Sequence, residues 1–198
     1  MHLSFYKFVL SLFRLYSKVF YKYEVIGAEN IPDEGNLIIA ANHKSNLDPI
    51  FIAAAVKNRT VAPIGKKELF ENKILGKILS NLNVIPIDRE NPGISTIKTI
   101  LKKLKEGYVI GIFPEGTRIK GNGFGDAKAG LALFAVKGKA NVVPISIISN
   151  YKIFNKVTIY IDKPISFEEY YKKKLSAEDY ERLSGDVLEV IKDNYYKR

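Results

Sequence analysis

The sequence predicts a single α/β domain, a mostly parallel mixed sheet covered by helices, preceded by an amphipathic N-terminal helix. Three observations carry this. Seven short apolar runs recur along the chain with helical patterns between them, the alternation that builds a largely parallel sheet. Several of those runs, such as Leu37–Ala41 and Val142–Ile148, are apolar almost throughout, as strands buried on both faces are. The length of 198 residues suits one domain, or one domain with an appendage, with no repeat, low-complexity tract or linker in it. A chain of this size buries roughly 70% of its unfolded surface, and 46% hydrophobic residues argue against disorder.

The first element, Met1–Tyr23, is crowded with Phe, Leu, Val and Tyr. At about 100° per residue, Lys7, Ser11, Arg14, Lys18 and Lys22 fall in a strip roughly 80° wide, and nearly everything else on the wheel is apolar. A spanning helix needs about 20 mostly apolar residues, but Lys7 and Arg14 leave only Phe8–Phe13 between them. A signal peptide needs an uninterrupted apolar centre and a small-residue cleavage site, and neither is present. The pattern predicts a helix in the membrane interface, aromatics toward the acyl chains and cations toward the headgroups. The alternative is a helix docked on the protein's own core. Residues 1–22 are accordingly separated from a domain over residues 23–198.

The predicted strands are Tyr23–Gly27, Leu37–Ala41, Thr60–Ile64, Asn83–Ile87, Tyr108–Phe113, Val142–Ile148 and Val157–Ile161. Ile50–Val56 reads as a short helix behind Pro49. Ile94–Lys105 sets Ile94, Ile97, Leu101 and Leu104 on one helical face. Lys128–Lys137 carries Leu131, Phe134 and Ala135. Phe167–Tyr196 reads as mostly helical, broken near Ser176 and Gly185. Ligands of such sheets sit at the carboxyl ends of strands, which directs attention to the loops after Ala41, Ile64, Ile87 and Phe113.

Charge and composition narrow the chemistry. With 31 Lys+Arg against 21 Asp+Glu, the net charge is +10. Residues 166–198 hold seven basic and eight acidic side chains, so the surplus lies upstream. It favours polyanions such as anionic lipid, phosphorylated substrates, nucleic acid or acidic proteins. The absence of Cys excludes disulfides, thiolate nucleophiles and Cys-ligated zinc. Of two His, one is residue 2, so imidazole chemistry falls on His43.

The loop after Leu37–Ala41 reads Asn42-His43-Lys44-Ser45-Asn46-Leu47-Asp48-Pro49. A carboxylate five positions after His43 can fold back to Nδ1–H, fixing the tautomer and stabilising the imidazolium formed on proton abstraction. Equally, Asp48-Pro49 suits a helix start, with Asp48 as a simple cap. The loop after Tyr108–Phe113 reads Phe113-Pro114-Glu115-Gly116-Thr117-Arg118: Pro ends the strand, Gly permits a tight turn, and Arg118 either offers a planar fork for phosphate or is simply a surface Arg on a turn. Lys66, Arg89 and Lys128 bring further positive charge to the same strand ends.

These residues carry a resemblance. Asn42-His43 through Asp48-Pro49 resembles the NHxxxxDP motif of the glycerolipid acyltransferases, and Phe113–Arg118 matches their FPEGTR motif in full, at the expected distance. Lys66–Leu69, Ile87–Arg89 and Val143–Ser146 resemble the remaining family blocks in order. The resemblance covers about residues 23–165. It implies transfer of an acyl chain from a thioester, of acyl carrier protein or coenzyme A, to the sn-2 hydroxyl of lysophosphatidic acid (1-acylglycerol 3-phosphate). It also implies His43 as general base, Asp48 as its orienter, and Glu115, Gly116, Thr117, Arg118, Arg89 and Lys66 at the acceptor, with no metal or other cofactor. Membrane lipids are the implied partner, on the cytoplasmic face of the cell membrane. Acceptors such as glycerol 3-phosphate or another lysolipid stay open.

Other classes fit less well. One alternative is a non-catalytic module that binds a membrane or nucleic acid through the basic segment upstream of residue 166; of these, a nucleic-acid module would interleave aromatics with a basic stripe, whereas here the aromatics gather at the N-terminus. A hydrolase would use His43 to activate water, and would cleave the thioester without an acceptor; the absence of Cys and of a G-x-S-x-G elbow speaks only against a covalent acyl-enzyme. Metal-dependent phosphate chemistry lacks a ligand cluster.

Overall fold

The computed structural model describes residues 2–88, 93–121 and 123–197. Its elements run α1 (His2–Phe20), β1 (Lys22–Ile26), β2 (Leu37–Ala41), α2 (Asp48–Ala55), β3 (Val61–Lys66), α3 (Lys73–Asn81), β4 (Ile85–Ile87), α4 (Ile94–Lys105), β5 (Val109–Ile112), α5 (Gly130–Gly138), β6 (Asn141–Ser149), β7 (Lys156–Ile161) and α6 (Ala177–Lys197). The strands form one sheet in the order β1-β7-β6-β2-β5-β3-β4. Every neighbouring pair is parallel except β6 with β7, so β1 and β7 run against the other five.

β2 lies at the centre and is buried along its whole length. Its alternating side chains serve two cores, because successive residues of a strand point to opposite faces. Leu37, Ile39 and Ala41 pack with Tyr6 and Leu10 of α1 and Phe51, Ile52 and Ala55 of α2. Ile38 and Ala40 pack with Ile100 and Leu104 of α4, Leu131 and Ala135 of α5, and Leu183, Val187 and Ile191 of α6. Apolar burial on both faces is why the strand runs read as continuous rather than alternating. Gly27, just past β1, has φ +79°, and a Cβ there would stand 2.1 Å from the Ile161 carbonyl oxygen, so only glycine lets β1 meet the end of β7.

All seven sequence-predicted strands are present. Two helical expectations change. α6 runs unbroken through Gly185. A glycine in a helix costs about 1 kcal/mol against alanine, whereas α6 buries Tyr180, Leu183, Val187, Leu188 and Ile191, each contributing roughly 1.5–3 kcal/mol; packing outweighs propensity. α3 was not expected from periodicity, yet a signal exists: the Asn72 side chain accepts from the Ile74 and Leu75 N–H groups, at 3.1 and 3.0 Å, the action of an N-cap.

α1 has two faces. Tyr6, Leu10 and Ser17 are buried against the domain, Phe13 meets Phe51 edge-on at 5.0 Å, and the Tyr6 hydroxyl accepts from the Val61 N–H at 3.0 Å. Phe8 and Leu15, 66% and 60% exposed, face away together with Phe5, Leu12 and Val19. Arg14 does not reach outward as the wheel suggested. Its Nε donates to the Ala54 carbonyl at 2.9 Å, at the C-terminus of α2, where a cation complements the helix dipole. Among the described residues no helix is long and apolar enough to cross a membrane.

Candidate active site

β2 and β5 are neighbours in parallel register, Ala40 beside Ile112. The loops leaving their carboxyl ends therefore start side by side, and these are the two loops that carry His43 and Phe113–Arg118. Asn42 sets the first loop. It is fully buried; its Nδ2 donates to the Ile147 carbonyl at 3.0 Å and its Oδ1 accepts from the Ile147 N–H at 2.7 Å. One side chain thus pairs with both polar groups of a β6 residue where β2 ends, and an apolar residue there would orphan two buried backbone groups.

His43 follows, 6% exposed. Its Nδ1 lies 3.0 Å from Asp48 Oδ2. The same oxygen accepts from the Lys44 and Ser45 N–H groups, each at 2.7 Å. Asp48 opens α2 with Pro49 behind it, but its carboxylate does not cap that helix. It reaches back and closes the loop around His43. The alternative of a simple cap is therefore set aside in favour of the contact with the imidazole. A carboxylate on Nδ1 makes Nδ1 the protonated nitrogen and leaves the Nε2 lone pair free to take a proton. The Phe113 ring stacks on the imidazole, centroids 4.0 Å apart at 15°, and fixes the plane of the ring.

Glu115 is 3% exposed and holds the two loops together. Its Oε2 accepts from the His43 N–H at 2.9 Å and its Oε1 from the Gly125 N–H at 3.0 Å. The Ile119 N–H donates to the His43 carbonyl at 3.0 Å, so residue 118 is chain-adjacent to a direct backbone contact with His43. Gly116 turns at φ +68°, and its N–H donates to the Phe113 carbonyl at 3.0 Å. Thr117 and Arg118 are exposed beyond that turn. Among the described residues the Arg118 guanidinium has no hydrogen-bond or ion-pair partner and is free to meet a ligand. The Lys128 side chain runs past the turn, 3.5 Å from where a Cβ on Gly116 would stand.

The remaining expected residues are placed differently. Lys66 is exposed at the end of β3, two strands from β2 with β5 between, about 10 Å across the sheet at the usual strand spacing. Arg89 lies outside the described residues. Lys44, beside His43, turns to the Gly123 carbonyl and sits 4.6 Å over the Phe124 ring. Burial lowers its pKa, with Glu115 and Asp48 opposing. No group of His and carboxylates able to hold a metal ion occurs among the described residues.

Besides Asn42, Phe113 and Tyr151 carried no assigned role in the sequence. Phe113 lay inside a motif but had no visible task until its ring met His43. Tyr151 gave no signal: its hydroxyl donates to Asp48 Oδ1 at 2.6 Å across 103 positions of chain.

A mostly parallel sheet with a carboxylate-held imidazole and an arginine-bearing turn at the carboxyl ends of its central strands defines a class, and the chain belongs to the acyltransferase family, whose model matches residues 22–148. It is similar to 1-acyl-sn-glycerol-3-phosphate acyltransferase of Bacillus subtilis (strain 168), 40% identical over 121 residues, 61% of this chain and 60% of the relative. The protein of that name from Helicobacter pylori (strain J99) is 32% identical over 172 residues, 83% of this chain and 72% of the relative. The Streptococcus pneumoniae relative is 36% identical over 122 residues, 60% of this chain and 44% of its own length. The fold resembles the crystal structure of the 1-acyl-sn-glycerophosphate (LPA) acyltransferase PlsC from Thermotoga maritima, with a TM-score of 0.74 and 29% identity over 97% of this chain and 80% of that one. The match thus spans 60% and 44% of the Bacillus and Streptococcus proteins.

Proposed function

We propose that the protein acylates the sn-2 hydroxyl of 1-acylglycerol 3-phosphate, giving phosphatidic acid. The observation that carries this is the His43 Nδ1–Asp48 Oδ2 contact of 3.0 Å beside the Arg118 turn, supported by the names of the relatives. The acceptor oxygen attacks the thioester carbonyl as His43 Nε2 takes its proton. The C–O bond forms, the C–S bond breaks, and the imidazolium returns the proton to the leaving thiolate. Asp48 stabilises the imidazolium while it lasts. Arg118 holds the acceptor phosphate, so phosphate binding energy positions the hydroxyl. The donor is a thioester of acyl carrier protein or coenzyme A.

The test is an acyl-transfer assay on purified protein with lysophosphatidate, glycerol 3-phosphate and lysophosphatidylcholine, each with both thioesters. Phosphatidate forms from lysophosphatidate, and Arg118→Ala raises the KM for that acceptor more than for the donor. Thioester cleavage that ignores the acceptor overturns the reading in favour of a hydrolase.

The protein works as a peripheral enzyme on the cytoplasmic face of the cell membrane, seated by the outer face of α1. Deleting residues 1–22 is a poor test of this, because Tyr6, Leu10 and Tyr21 belong to the core. Replacing Phe8, Leu12 and Leu15 together by serine leaves that core intact. It removes three apolar side chains from the lipid contact, each contributing roughly 1.5–3 kcal/mol when fully buried. The variant moves from vesicle pellet to supernatant in sedimentation with anionic liposomes; unchanged pelleting removes α1 as the seat.

A further inference from the structure

The connection between β6 and β7 holds two kinds of side chain with opposite destinations. Tyr151 turns inward, packs against the core shared with α1 and α2, and donates its hydroxyl to Asp48 Oδ1 at 2.6 Å. Burial, and then the Asp48 carboxylate, push its phenol far above the ordinary value, so it stays a donor across any working pH. Two and three residues on, Ile153 and Phe154 stand outward, 54% and 65% exposed. That apolar tip is fastened to the end of α1. The Phe154 N–H donates to the carbonyl of Phe20, the last residue of α1, at 2.7 Å; the Lys22 N–H donates to the Asn155 carbonyl at 3.1 Å; and the Phe20 and Phe154 rings lie 6.2 Å apart. The tip therefore continues from the end of α1, flanked by the exposed cations Lys22 and Lys152, with Lys156 beyond them paired to Glu24 at 2.7 Å, a combination that suits an anionic lipid surface.

The loop is built to hold its shape. Tyr151 and Phe154 both adopt left-handed backbone, φ +57° and +66°, a region non-glycine residues occupy only when the surroundings impose it. Ser149 Oγ accepts from the Tyr151 N–H at 2.9 Å and Asn150 Oδ1 from the Lys152 N–H at 3.0 Å.

We propose that residues 150–155 form a strut between the lipid surface and the His43–Asp48 pair: Ile153 and Phe154 enter the headgroup region beside α1, and Tyr151 is a positioning residue that holds the Asp48 carboxylate against His43. The proposal rests on the reading of His43 and Asp48 as the proton-transfer pair. The carboxylate torsion of Asp is broad and two-fold. Oδ2 is held by three donors, and Tyr151 is the donor that fixes Oδ1. Removing the phenol oxygen leaves a buried carboxylate oxygen without that partner and frees the torsion, while the ring still fills its place.

The experiment measures kcat and KM for full-length Tyr151→Phe, for Ile153→Ser with Phe154→Ser, and for His43→Ala. Each is assayed on short-chain lysophosphatidate dissolved as monomer and on lysophosphatidate in phosphatidylglycerol/phosphatidylcholine vesicles, at lipid concentrations that pellet all the protein. Tyr151→Phe lowers kcat about tenfold or more in both formats, the loss expected for one hydrogen bond to a charged group, with both KM values nearly unchanged and the protein still folded at the assay temperature, its melting temperature lower by several degrees for the orphaned carboxylate oxygen. The tip variant lowers the ratio of vesicle rate to monomer rate by about fivefold. A Tyr151→Phe enzyme with the parent kcat, with its loss confined to KM, or with a loss no greater than its loss of folded protein, overturns the positioning role. Tip-variant rates that fall equally, or do not fall, overturn the lipid contact. An active His43→Ala enzyme fails the underlying reading instead, whatever Tyr151 does.

Discussion

Replacing His43 by alanine lowers kcat for acyl transfer by about 10²–10⁴-fold, the usual contribution of a positioned general base, while KM for each substrate changes little. The reason lies in the placement of the imidazole. Asp48 occupies Nδ1 and Phe113 covers one face of the ring, so the ring presents Nε2 in one orientation and its contribution is to the proton in flight, not to binding. The fold tolerates the change. His43's backbone N–H, donating to Glu115, and its carbonyl, accepting from Ile119, are retained in alanine. The check is steady-state kinetics beside a circular-dichroism melt. A variant that keeps more than a few per cent of parent kcat at an unchanged melting temperature removes His43 as the base.

The second large effect comes from Asp48→Asn, which separates charge from shape. The amide oxygen can take the place of Oδ2 and accept from His43 Nδ1, Lys44 N–H and Ser45 N–H. The amide NH₂ then faces the Tyr151 oxygen, which can accept once its own hydrogen turns away. The hydrogen bonds are thus conserved in number and the loop keeps its course. The negative charge that stabilises the imidazolium is lost. We expect kcat to fall by about 10²–10⁴-fold, against a stability loss of about 1–3 kcal/mol, the scale of replacing charge-assisted by neutral hydrogen bonds. Denaturant unfolding and kinetics on the same preparation distinguish the two. Loss of activity in proportion to loss of folded protein makes Asp48 a structural residue only.

These two variants also mark how far the sequence could be read. The His43–Asp48 pairing was legible because both partners lie in one short loop, where five positions allow few geometries. Arg118 was legible because a strand-ending Pro and a turn-forming Gly precede it. The two tasks of Glu115 were not. Its partners are the backbone N–H groups of His43 and Gly125, and no side-chain identity marks a backbone donor at a distance. Arg14 misled for a related reason: a helical wheel assigns a direction to the side chain but not an acceptor, and the acceptors are carbonyls at the end of α2.

By itself, then, the sequence determined the seven strands, the burial of the central ones, and the strand ends and two loops where the candidate site forms. These follow from periodicity and turn chemistry, which act over a few residues. Only the tertiary structure decided the strand order that sets β5 beside β2, the antiparallel seating of β7, the inner and outer faces of α1, and the arrival of Tyr151 at Asp48. Those depend on contacts between residues up to about a hundred positions apart, chosen by which apolar faces bury one another best, and local sequence carries no record of that choice.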